Sequence, residues 1–322
     1  NQQLKTVQKK ITVKYNIIIM EIKSILVSSL VPFENHMANG GEKLLGNASS
    51  IKRRPDGRVY VSGQMQRHVL FSAIERLNIA DPDRGNTFVS NGDGISDQIE
   101  NDLRADMGGF MHPSTGNYSG RRTAPLTVTP AVALNESEVG RDLLVRIKMD
   151  ETGREQALAT REFSQHDVMH MNFFLDISEL SISKRFTYEG EYNIETNYVK
   201  HVSDEERRRR ARLFLQATCS MNDYANQARN AISGEPQQVL IVFDTILSRK
   251  ACRYFTAEIT ERNNIIRELE ERGAIFYIGD DKSDYSVADA YKEAQIFLGS
   301  EENQLYDPSG NAQVQSFAQA FS

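Results

Sequence analysis

The densest group of residues able to hold an anion lies in Val59-Tyr60-Val61-Ser62-Gly63-Gln64-Met65-Gln66-Arg67-His68. The pattern predicts a strand end meeting a helix start, with Ser62 as the cap. Free N–H groups of a first helical turn point outward, and that end of the helix dipole favours negative charge. Ser62 and Gln64 add side-chain donors, and Arg67 adds a fixed charge one turn along. Such a set suits a phosphodiester backbone held without reference to base identity. The same residues also fit an ordinary cap, with Gln64 and Arg67 facing solvent.

Two other constellations suggest different chemistry. Gly279-Asp280-Asp281-Lys282-Ser283-Asp284 matches the Gly-Asp-Asp-x-x-Asp magnesium motif of haloacid-dehalogenase-like phosphatases, and Phe243-Asp244-Thr245 could mimic their nucleophile. Ile246 stands where the second aspartate of that first motif belongs, and the interval from 244 to 280 leaves little room for the intervening helices. The plainer reading is a polar turn capping the last helix. His166-Asp167-Val168-Met169-His170 has the outline of a zinc-binding H-E-x-x-H, but with Asp at the general-base position and an apolar strand-like continuation. On a strand the two histidines share a face yet lie too far apart for one zinc. His36, His68 and His112 receive no assignment, and no metal site or cofactor is implied.

Composition narrows the classes further. Cys219 and Cys252 are the two cysteines, so a disulfide framework or cysteine-built zinc site is excluded. No apolar run approaches the roughly 18 residues that span a bilayer, and Ile17–Met20 is too short for a signal-peptide core. A cytoplasmic protein without membrane contact is expected. The formal net charge of −6 counts against nucleic-acid binding. Binding needs a local basic stripe, however, because screening confines a phosphate's influence to roughly 10 Å. Cations gather at 43–67, 121–122 and 141–161, while acids dominate at Asp280-Asp281 and Glu301-Glu302.

These residues need a scaffold. Residues 1–19 read as upstream sequence or as an extended arm packing on a neighbour, with Met20 feeding a first strand over 21–32 that ends at Pro32. A polar loop fills 33–58, and a helix follows over 63–78. Residues 81–120 read as an insertion, with one helical patch near 95–106. Strand character resumes at 127–134, and Asp150-Glu151-Thr152-Gly153 predicts the turn of a long exposed hairpin over 134–163. A core strand is expected at 169–177. Ser203-Asp204-Glu205-Glu206 is a capping box opening a helix to about Ile232, and Arg207–Arg210 read as its solvated face with internal ion pairs. Strands at 239–246 and 274–278 and helices at 260–272 and 285–298 complete the chain, with a tail over 301–322. The order is that of an α+β, ferredoxin-like (RRM-type) domain with large insertions.

Val61-Ser62-Gly63-Gln64-x-x-Arg67 resembles the Val-Ser-Ser-Gln-x-x-Lys/Arg signature of the backbone subunit of type I CRISPR Cascade complexes, in the branch related to DevR. Three stretches agree with this: Asn39-Gly40-Gly41 with Gly46-Asn47 and Lys52-Arg53, then Arg121-Arg122-Thr123-Ala124-Pro125-Leu126, then Phe173-Phe174-Leu175-Asp176-Ile177. The resemblance covers about residues 21–250. It implies a right-hand shape: a palm over 21–80 and 121–300, fingers over 81–120 and a thumb hairpin over about 134–163. Copies would stack head-to-tail along a guide RNA, each thumb pressing on RNA held by the next copy.

By motif, Ser62, Gln64 and Arg67 would hold guide phosphates, and Asn39, Lys43, Lys52 and Arg53 would line the adjoining loop. Arg121 and Arg122 would mark the entry to the second half, and Arg146, Lys148, Arg154 and Arg161 of the thumb would face RNA. Related RNA-cleaving subunits carry an aspartate in the loop after strand one. From Pro32 to Pro55 this sequence has none, with Glu34 and Glu42 as the acids there. The resemblance therefore implies a non-catalytic subunit binding crRNA, copies of itself and other Cascade subunits, and meeting the target DNA strand through guide pairing. A stand-alone RNA-binding or RNA-processing protein, or the phosphatase-like enzyme, are the alternatives.

Overall fold

The computed structural model describes residues 20–39, 42–43, 49–92, 96–111, 121–150, 153–228, 230–310 and 312–321; residues 1–19 lie outside them. In chain order the principal elements are β1 (Ser24–His36), α1 (Gly63–Ala80), α2 (Leu103–Gly108), β2 (Leu126–Val128), β3 (Ala131–Ala133), β4 (Val139–Asp150) and β5 (Gly153–Asp176). Then come β6 (Ile182–Glu189), β7 (Tyr192–Lys200), α3 (Asp204–Ala217), β8 (Gln238–Asp244), α4 (Ile259–Glu271), β9 (Ile275–Asp280) and α5 (Val287–Gly299).

The central sheet runs β9-β8-β1-β5, with β2 and β3 together on the far edge of β5, and all of these pairings are antiparallel. The sequence β1-α1-β2/β3-β5-α3-β8 in this order is the ferredoxin-like arrangement, and β9 and α5 extend it. β1 does not stop at Pro32. Pairing with β8 ends at Leu30, so beyond it β1 is hydrogen-bonded toward β5 and tolerates a residue without an N–H.

Strict alternation along β1 and β5 sorts the apolar side chains onto two faces. Ile25, Val27, Val31, Met169, Met171 and Phe173 pack under α1, α3 and α5. Leu26, Phe174, Leu240 and Val242 pack on the other face, under a 3-10 turn at Lys250–Arg253 and α4. β4 and β5 form a hairpin from Val139–Ser164 to Asp150–Gly153, where the sequence predicted one at 134–163. β5 continues unbroken for 24 residues into the sheet centre. A second hairpin, β6–β7, was not anticipated from the sequence.

Two helical expectations need correction. α3 ends at Ala217, not near 232. Beyond it, Asn226, Gln227 and Asn230 spend their amides on backbone carbonyls of Met37, Asn222 and Asn35, bonds that compete with helix formation. The arginine run is also not a solvated face: four successive residues at about 100° each cannot share one side of a helix. Arg207 and Arg210 are fully buried. Arg207 donates to the carbonyls of Leu180, Ile177 and Tyr306, and Arg208 to those of Leu298, Ser300 and Asn303. The internal ion pairs exist, Glu206 binding both Arg209 and Arg210.

The insertion is fastened through Asp106 of α2, which is completely buried. Its carboxylate accepts from Arg122 at 2.8 Å, Arg210 at 2.7 Å, and the Ser181 amide and hydroxyl at 2.7 and 2.6 Å. Burial pushes the Asp106 carboxyl up, but Arg210 and Arg122 outweigh it and hold the group below the usual carboxylate range. The tail over 301–322 is likewise integrated. Gln304–Leu305 pairs with Glu21–Ile22, and Phe317 packs against Ile99.

Asp106→Ala leaves two guanidinium groups buried without their carboxylate and is expected to cost about 3–5 kcal/mol, read as a drop in urea midpoint. An unchanged midpoint would show that the cluster contributes nothing. A second expectation concerns pH. Burial pushes the His170 and His201 imidazoles down to about 4, His201 with help from the Arg122 charge. Neutral His201 fits its surroundings: Arg122 donates to Ser183 Oγ, which can donate to His201 Nε2, while Nδ1 faces the Gln315 carbonyl. The folded-state values are depressed, so the stability is intact above about pH 6.5 and is lost as pH falls toward 4. The slope is at most about 1.4 kcal/mol per pH unit for each histidine. Urea unfolding across that window measures it, and His201→Gln should flatten the slope.

Candidate nucleic-acid interface

Val59 and Val61 are fully buried, which fixes the strand that delivers Ser62. Ser62 caps α1 in extended conformation, its Oγ accepting from the Met65 amide at 3.2 Å. Gly63 lets the helix start lie against β2: a Cβ there would sit 3.1 Å from the Val128 carbonyl oxygen. Gln64 is exposed, and Arg67 is half-buried one turn along. The Arg67 guanidinium donates to the Gly108 carbonyl at the end of α2 and lies 5.6 Å from the Phe71 ring. Burial lowers its proton affinity and the neighbouring Arg104 charge adds to this; an arginine nonetheless stays charged.

These residues line a cleft of about 950 Å³ between the sheet edge and the insertion. Gly63, Gln64, Arg67, Thr127 and Val128 form one wall, and Ser90, Gly92, Arg104 and Phe110 face them. Arg104 lies 4.7 Å from the Phe71 ring, so two cations flank one aromatic. Arg104 escaped the sequence reading because it belongs to an irregular insertion; the signal present was Asp102, which caps α2 and fixes Arg104 two residues on.

The remaining candidates sit in several local settings. Asn39 is a clamp: its amide donates to the Lys52 and Tyr60 carbonyls at 2.9 and 3.0 Å. Lys52 is half-buried and Arg53 exposed on the strand segment so held. Arg161 is half-buried and reaches Asn226 Oδ1 at 3.4 Å. Arg122 requires a correction. It is buried, bonded to Asp106, Ser183 and the Ile182 and Glu179 carbonyls, and cannot present its charge to a ligand. A guanidinium's five donors suit a crowded interior corner as well as they suit phosphate. The side chains of Lys43, Arg121, Arg146, Lys148 and Arg154 lie outside the described residues.

Enzyme-like groupings resolve into structural ones. Asp244 is held by Arg272, and Asp280 accepts from the Lys282 amide and Gln238. Asp280 pairs with Gln238, at the opposite end of the seven-residue β8 from Asp244. Six strand steps, about 20 Å, separate the two carboxylates. They cannot share a magnesium, and the phosphatase-like reading fails. His36, Ser137 and Asp167 gather three residue types of a hydrolase, but Ser137 and His36 both bond Asp167, at 2.5 and 2.7 Å, and all three are buried. Ser137 also accepts from the Val59 amide, so the trio braces the strand before Ser62. His166 pairs with Glu34 in solvent, while His170 lies inside, 3.2 Å from Ser28 Oγ.

Among the described residues, no helix is long and apolar enough to cross a membrane. No protein of curated function matches the chain in sequence. Its fold matches a chain of a solved "CRISPR RNA-guided surveillance complex" with a TM-score of 0.50 and 17% identity, over 83% of this chain and 92% of the other. It also matches one from a "CRISPR RNA-guided surveillance complex, pre-nicking" with a TM-score of 0.50 and 14% identity, over 85% and 99%. At such identities the likeness concerns the fold. The sequence model described as "CRISPR-associated negative auto-regulator DevR/Csa2" matches residues 33–231, from near the end of β1 to the segment before β8. The chain belongs to the DevR/Csa2 family of CRISPR-associated proteins.

Proposed function

We propose that this chain is a non-catalytic backbone subunit of a type I CRISPR surveillance complex, binding crRNA without regard to sequence and repeating head-to-tail along it. The supporting observation is the pairing of two features on one palm. One is a helix start capped by Ser62, whose Gln64 and Arg67 line a cleft shared with Arg104. The other is a hairpin leaving the sheet with twelve residues of β4 paired, a reach of about 40 Å. Leu143 and Val145 on that hairpin are 65% and 54% exposed, apolar surface suited to a neighbouring copy. In this reading β4–β5 is the thumb and the insertion after α1 the fingers. The guide, held by its backbone, keeps its bases available to a target DNA strand, so target choice rests on pairing. Family membership and the lack of an aspartate from Pro32 to Pro55 support a subunit without nuclease chemistry. Other subunits of the complex, and a cytoplasmic setting, complete the proposal.

Purified protein is expected to carry RNA, or to form RNA-dependent assemblies that nuclease digestion shortens on size analysis. A strict monomer free of nucleic acid overturns the proposal. A solitary RNA-binding protein would instead show RNA bound by single copies.

Head-to-tail contact joins two different surfaces and so propagates without closing. Trimming the hairpin around residues 148–155 removes no side chain of the described core clusters. The trimmed protein should stay folded and bind short RNA, yet fail to coat long RNA cooperatively in electron micrographs. Full-length filaments from it would show that the hairpin is not the thumb.

A further inference from the structure

Cross-strand partners share a face of a sheet. One row reads Lys52, Tyr60, Val132, His170 and Leu30. Tyr60 pairs with Val132, Val132 with His170, and His170 with Leu30. Lys52 faces Tyr60 one step from the Arg53–Val59 bridge, with the Tyr60 amide donating to the Lys52 carbonyl. The flanking residues Val59, Val61, Ala131, Ala133 and Met169 are fully buried on the opposite face. The row therefore lies on the face away from α1 and α3.

That face has a roof over part of its area. Phe255 reaches His170 at 6.5 Å between ring centres, and Leu30 packs against the cluster beneath α4. Tyr60, Val132, Val168 and Pro32 belong to neither large core cluster and are half-buried. The structure thus leaves a flat patch beyond the roof, walled by one aromatic ring with a lysine beside it. The Tyr60 hydroxyl has no hydrogen-bond partner among the described residues. Arg54, two residues along from Lys52, is exposed, so the open end of the row is cationic. Asn39 clamps the Lys52 and Tyr60 carbonyls together, which fixes the spacing of charge and ring.

We infer that Lys52, Tyr60 and Val132 form a stacking subsite for one base of single-stranded RNA, with Tyr60 under the base and Lys52 on an adjoining phosphate. Aromatic stacking accepts any base, since every base has a π-face, and so agrees with binding that ignores sequence. The inference rests on the RNA-binding reading above and adds a contact that backbone recognition alone would not require.

The chain has no tryptophan, so Tyr60→Trp introduces a single fluorescent reporter. Its emission should be quenched by saturating decaadenylate and unaffected by an abasic ribose-phosphate oligomer of equal length. Tyr60→Leu, which keeps a strand-forming apolar residue, should weaken decaadenylate binding about tenfold and leave the abasic oligomer unchanged. Tyr60→Phe should bind like the wild type. Lys52→Ala should flatten the log–log salt dependence by about 0.7 on both oligomers, whereas Tyr60→Leu leaves the slope intact. Emission unmoved at saturation, or equal losses on the two oligomers, overturns the subsite while the RNA-binding reading stands. If the wild type binds neither oligomer, both fall.

Discussion

Segments far apart in the chain meet at the carboxylate of Asp106. It joins α2 of the insertion to α3 through Arg210, to the start of β2's approach through Arg122, and to the β5–β6 corner through Ser181. Burying these charges carries a large desolvation cost, so such a cluster is better at fixing geometry than at adding net stability. Its charge is balanced locally. Asp106, Glu206 and Asp81 meet Arg122, Arg210 and Arg209. The cleft inherits its shape from this anchor. Gly108, whose carbonyl receives Arg67, stands two residues after Asp106, so the wall opposite Ser62 is set by a carboxylate that never reaches the surface.

The central sheet and its flanking helices were legible because their signals are local. The capping serines Ser62 and Ser203 announce α1 and α3, and both accept the expected amide bonds. Short apolar runs bounded by polar residues locate β1, the core half of β5 and β8, and Asp150–Gly153 marks the turn of the hairpin. What failed were residues whose environment is set by distant partners. Arg122 looks like a ligand-binding cation in sequence, but its four partners lie between 16 and 61 positions away. No local pattern reports that. The arginine run carries its own local signal, since helical geometry alone forbids four adjacent residues from sharing the solvent face. β6–β7 was missed for the opposite reason. It is largely exposed, so its alternation carries little hydrophobic contrast, with Tyr192 and Ile194 as open as the glutamates around them.

The candidate site shows the same division. Gln64 and Arg67 are neighbours in sequence and share a cleft, at the helix that Ser62 caps. Resemblance put Asn39 and Lys52 on one loop and Arg161 on the hairpin; Asn39 clamps the Lys52 carbonyl, and Arg161 reaches Asn226, whose amide holds the Met37 carbonyl. Tyr60 sits inside the most informative motif and still drew no attention. Its strand position, between two buried valines, is what marks it as outward-facing.

An RRM-type sheet ordinarily offers the face opposite its helices to RNA. In this chain the centre of that face is occupied. Phe174 and Leu26 lie beneath α4 and the Lys250–Arg253 turn, and Arg249 stacks 4.7 Å from the Phe174 ring. The fold name alone would therefore place RNA where the protein has placed its own second core. What stays open is the edge: the cleft beside α1 and the patch around Tyr60, reached from opposite sides of β2 and β3. Both edge sites carry cations, Arg67 and Arg104 in one, Lys52 and Arg54 at the other. A net charge of −6 is then compatible with the proposed RNA contact, because contact needs only a local group of cations and screening confines a phosphate's influence to roughly 10 Å.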